Sequence, residues 1–299
     1  MNATRDDTGR WTISGDCESP SYREALSRHL NALDPVFSRA RATCEFEFIL
    51  SLLRVRGMSD GGWDPYETTI RAIPKIEAAC RQADTETQKH MALWVYGHIL
   101  EADEPYELLA NLVRVAGGGR FHMTCFPSTD GRPPGPGKKI HGLQQMAADS
   151  GLTGAFDPLA DTWNRNLRNA AFHADYTITR DSLRILDPPT RYTWERFDAL
   201  INNALAHHAA LSTLYQKVHV ASYTESITIP VHPEFSRDPD DRAVVIIREG
   251  HGVVGLKDAW TPEQLRRGKI SHRIGRFTAS EMRLLEADPT VSVLPAETA

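Results

Sequence analysis

The segment Trp163 to Tyr176, WNRNLRNAAFHADY, gathers the residue types that do acid–base and phosphate chemistry. Arg168 is followed at once by Asn169 and, five residues on, by His173. An imidazole exchanges protons near neutral pH, and a guanidinium offers a planar fork that grips a phosphate and meets charge developing on it. Asn169 is placed to orient His173 or to bind a phosphate oxygen. Together they suit scission of RNA by its own 2′-hydroxyl, which needs a proton acceptor, a proton donor and charge stabilisation on the phosphoryl oxygens. Arg165 and Tyr176 flank the group and stand as further RNA contacts.

The spacing alone is common. A bare R-x(4)-H arises roughly once by chance in such a chain, and it recurs from Arg267 to His272. That second copy lacks the Asn. Helical periodicity supplies the context for the first: from Pro158 to about Ala174 the pattern predicts one helix, with Phe156, Leu159, Trp163, Leu167, Ala170 and Ala174 along its packed side. Arg165, Arg168, Asn169, Phe172 and His173 fall on the other side. An aromatic centred there implies a cover, either another helix or a second copy of the chain. A purely structural role would instead pair Arg168 with Asp161 or Asp175.

Arg168-Asn169-x-x-x-His173, on a helix in an otherwise helical region, resembles the R-x(4-6)-H motif of the HEPN superfamily of helical-bundle proteins. The resemblance implies a metal-independent endoribonuclease, with Arg168, Asn169 and His173 as catalytic residues and no cofactor or metal. It implies single-stranded RNA as substrate and a homodimer whose motif helices face each other, each copy giving one of the two histidines required. It further implies a toxin, abortive-infection or antiviral defence setting. The alternative is a non-catalytic helical module that binds RNA, a nucleotide or a partner protein.

The rest of the chain must position that segment. Its 299 residues, 41% hydrophobic and 24% charged, exclude whole-chain disorder. No apolar run approaches the ~18 residues of a bilayer span, and the amino terminus shows no leader pattern, so a cytoplasmic protein without membrane contact is expected. A net charge of −5 gives no global attraction to nucleic acid, so any such contact is local. The strongest basic run holds Arg266, Arg267, Lys269 and Arg273; a weaker one holds Arg132, Lys138 and Lys139. Four scattered cysteines, Cys17, Cys44, Cys80 and Cys125, show no metal spacing and read as reduced thiols.

Periodicity predicts a mainly α protein: a multi-helix bundle with a small C-terminal β-containing (α+β) module. Residues 1–19 read as a flexible arm, 20–220 as the bundle and 221–299 as the module. Helices are expected from Tyr22 to a break at Asp34-Pro35, thence to about Arg56, and over about 65–82, 85–101, 103–116 and 140–149. A long helix follows over about 193–220, with His207 and His208 packed rather than ligating. Residues 116–139, rich in Gly and Pro, read as a surface loop, and Gly131 to Lys138 has one residue too many for a phosphate loop.

Overall fold

A computed structural model describes residues 2–14, 19–54, 65–128, 132–233, 240–248 and 252–259. The protein is mainly α with small antiparallel sheets, as the periodicity predicts. Its first helix, α1 (Pro20–Thr43), runs straight through Pro35, where the sequence predicts an interruption. Proline forfeits one backbone hydrogen bond, but Leu30, Leu33, Val36 and Phe37 are all buried on either side of it. Burial of that size outweighs the lost bond. The break falls instead at Cys44, whose extended backbone separates α1 from α2 (Glu45–Arg54).

Helices α3 (Pro65–Cys80), α4 (Thr85–Glu101) and α5 (Asp103–Ala116) follow as predicted. Asp84 caps α4 by accepting from the amides of Glu86 and Thr87, both at 3.0 Å. α1 packs between α9 (Trp194–Ser212) and α5, and α5 also carries α2 and α6 (Pro136–Asp149). A short α7 (Asp157–Thr162) and α8 (Arg165–His173) precede a three-stranded meander of β3 (Tyr176–Ile178), β4 (Ser182–Ile185) and β5 (Thr190–Thr193). α9 ends in a π-helical turn, Thr213–Val220. The sheet β6 (Thr228–Pro230), β7 (Arg242–Arg248) and β8 (Gly252–Asp258) then adds Ile229, Val245, Val253 and Leu256 to the same apolar core as the helices.

The flexible arm is overturned for its described part. Asn2–Arg5 (β1) and Trp11–Ser14 (β2) form an antiparallel hairpin. Trp11 is buried, and Asn31 of α1 clamps its backbone, accepting from the Trp11 amide at 2.8 Å and donating to its carbonyl at 3.3 Å. Arg5 reaches the buried Asp34 at 2.9 Å. The loop after α5 is fixed by buried polar groups rather than by strands. Glu107 accepts from the amides of Cys125 (2.7 Å) and Phe126 (3.1 Å), and Glu47 from that of Phe121 (2.7 Å).

Candidate nucleic-acid site on helices α4 and α8

The single helix expected over 158–174 is two helices. Trp163 and Asn164 adopt extended backbone between α7 and α8. Asn164 caps α8, its side-chain oxygen accepting from Leu167 N at 3.0 Å and from the Tyr192 hydroxyl at 2.9 Å. The buried Tyr96 hydroxyl of α4 donates to Thr162 O and accepts from Asn164 N, each at 2.9 Å. Burial raises this phenol's pKa well above its ordinary value. The backbone groups freed by the break are thereby satisfied inside the protein, and α7 can pack on α9, α1 and α6 while α8 packs on α4. Of the expected packed stripe, Phe156, Leu159, Leu167 and Ala170 are buried and Trp163 is half-buried. Ala174 is exposed and left-handed, with φ 53°.

α8 lies antiparallel on α4, in three steps along the seam. At the first, the Arg168 Nε donates to Glu101 Oε1 and its Nη1 donates to Asn169 Oδ1 at 3.0 Å. Arg168 and Glu101 are 25% and 29% exposed, so the pair is open to solvent on one edge. The Glu101 bond raises the guanidinium's pKa. With two of its five N–H donors engaged, the outer edge of Arg168 remains able to take a phosphate in bidentate fashion. At the second step, Phe172 rests on Gly97, where an added Cβ would stand 2.8 Å from the ring. At the third, Tyr176 Oη meets His90 Nδ1 at 2.7 Å.

His173 is the last residue of α8, exposed, and makes no side-chain bond among the described residues. Asn169 holds Arg168 rather than His173, which corrects the expectation that it orients the imidazole. Arg165 opens α8 and is exposed. Tyr176 is half-buried, with its hydroxyl on His90. Arg266, Arg267, Lys269 and Arg273 lie outside the described residues. In the weaker basic run, Lys139 is buried against Asp103 and over the Tyr106 ring, which removes it from any surface patch.

Neither acid nominated for a structural role pairs with Arg168; Asp161 binds Arg28 at 3.0 Å. The partner is Glu101, which sequence reading missed because it lies 67 residues upstream. One signal was available: Glu101 is the final residue of α4, where the helix dipole disfavours a carboxylate. An acid kept there implies a partner.

The opposite side of α4 bounds a cleft of about 230 Å³ between α3 and α9, lined by Ile76, Cys80, Met91, Val95, Ile201 and Leu205 among others. Among the described residues no group of three His, Cys, Asp or Glu could hold a metal ion, and no helix is long and apolar enough to cross a membrane. Cys44 and Cys80 are free thiols. No protein family, curated protein or solved structure matches the chain.

Proposed function

We propose that the chain is a metal-independent endoribonuclease acting on single-stranded RNA, with Arg168 and His173 as its catalytic residues. The observation that carries this reading is the α8 face itself. A guanidinium held by Glu101 and Asn169 has donors to spare, and an exposed imidazole sits five residues on, about one and a half turns further along α8. In the reaction the 2′-oxygen bonds to the adjacent phosphorus, the bond from phosphorus to the 5′-oxygen breaks, and the 2′-hydroxyl proton passes to a base while an acid protonates the leaving oxygen. His173 serves as one of these groups, and His173 of a second copy as the other. Arg168 meets the negative charge on the phosphoryl oxygens. A cytoplasmic toxin or antiviral defence role fits this activity.

A second reading, a helical module that binds RNA, a nucleotide or a partner protein without cutting, draws on the same ion pair, because a guanidinium already bonded to Glu101 is partly neutralised. The assay is cleavage of single-stranded RNA in EDTA with analysis of the ends. The enzyme leaves 2′,3′-cyclic phosphates and spares DNA, which lacks the attacking hydroxyl. His173→Ala is the cleaner variant, since the side chain it removes is exposed and unbonded, whereas Arg168→Ala also strands Glu101. Both should abolish cutting, and full activity in both sinks the assignment. RNA binding without turnover in the parent protein supports the second reading.

A further inference from the structure

Two large aromatic side chains stand largely in solvent beside Arg168: Trp94 is 58% exposed and Phe172 54%. On α4, His90, Trp94, Gly97 and Glu101 fall within about 60° of arc, the side that α8 covers. Trp94 precedes Gly97 by one turn, and Phe172 rests on Gly97, so the two positions that carry the rings on α4 are about 5 Å apart along its axis. Both are held in place. Phe172 is fixed by Gly97 and by the Arg168 guanidinium, 5.3 Å from its centroid. Trp94 has the His90 ring at 6.4 Å, and His90 in turn holds the Tyr176 hydroxyl.

The groups shown beside these rings are polar: the Arg168 guanidinium at Phe172 and the His90 imidazole at Trp94, with the acid Glu101 matched to Arg168. Flat rings held beside a guanidinium fit a ligand that alternates flat faces with anions, which is a nucleotide chain.

We propose that Trp94 and Phe172 form a stacking subsite for an unpaired base of the RNA strand whose phosphate Arg168 holds. The subsite rests on the ribonuclease reading for the identity of its ligand and deepens it, because only an unstacked base can reach these rings, which makes them a determinant of preference for single strands.

The test measures binding of a fluorescent twelve-nucleotide oligouridylate, and of an abasic strand of the same length, to the His173→Ala protein, with sedimentation of every variant. Trp94→Ala and Phe172→Ala should each weaken oligouridylate binding about ten-fold, Trp94→Phe should restore most of it, and the abasic strand should not distinguish the variants. Unchanged affinity in both alanine variants overturns the subsite, as does absence of RNA binding by the parent chain. Dissociation of a dimer by either variant overturns it too, since the rings would then serve a second copy. A parent protein that does not cut RNA, yet loses affinity with Trp94→Ala, keeps the subsite and loses the ribonuclease reading; a cutting protein indifferent to Trp94 does the reverse.

Discussion

His219, in the π-helical turn after α9, is a buried imidazole between two phenyl rings. Phe37 is stacked on it at 5.0 Å and Phe48 meets it edge-on at 5.2 Å. Neither ring nitrogen has a hydrogen-bond partner among the described residues. Burial, reinforced by the charges of Arg41 and Arg5, pulls its pKa down from 6.5 to about 4. The folded state therefore keeps this ring neutral where the unfolded chain takes up a proton. Its contribution to stability is complete above pH 6.5, fades as the pH falls towards 4 and levels off below. That interval corresponds to on the order of 3 kcal/mol, of which about 2 kcal/mol is lost by pH 5. His219→Phe removes the titrating group and its two orphaned nitrogens while keeping the stack. Urea unfolding at pH 7.5 and pH 5.0 should show the variant losing about 2 kcal/mol less than the parent across that interval. His219→Leu should show the same difference whatever its absolute stability, so a packing penalty does not obscure the result. Equal pH dependence in parent and both variants would refute the account.

Three other substitutions probe the supports of the site and of the loop after α5. Ala174→Gly relieves a left-handed alanine directly after His173 and should raise stability by about 1 kcal/mol in urea unfolding. Tyr96→Phe strips the break between α7 and α8 of its hydroxyl, leaving Thr162 O and Asn164 N unmatched; a loss of about 2 kcal/mol and faster amide exchange at Asn164 are expected. Glu107→Ala removes the acceptor of two loop amides and should cost about 3 kcal/mol, with exchange accelerated at Cys125 and Phe126 and only partial loss in Glu107→Gln.

What the sequence disclosed, it disclosed through local signals. Asp84 ahead of α4 marks that helix by chemistry that acts within one turn, whereas Asp103, which reads as the cap of α5, is its first helical residue after Ala102 and pairs with Lys139 instead. Pro35 misleads because its penalty is local while the compensation comes from α5 and α9, both distant in the chain. The break at Asn164 was hidden by an apolar stripe that runs on through Trp163, although an Asn three residues before the buried Leu167 is itself a capping signal. The N-terminal hairpin has four-residue strands with little apolar content, and its anchors, Asn31 and Asp34, belong to α1. Of the site, Arg168, Asn169 and His173 were readable as a spacing. Glu101, Trp94 and His90 were not, because they join it only when α4 is laid against α8.

Glu47 has consequences for where the molecule can be cut. Its carboxylate, almost wholly enclosed, has one oxygen on Phe121 N at 2.7 Å and the other 3.3 Å from the His232 imidazole, just past β6. Gly252, at the start of β8, abuts the end of the π-helical turn so closely that a Cβ would overlap the Val220 carbonyl. The described residues between 221 and 259 are thus no detachable appendage. Truncation there would expose to water the apolar surface that Ile229 and Val245 pack against and leave a half-solvated acid in the wall of the bundle, so a shortened chain would forfeit cohesion throughout rather than merely lose a tail.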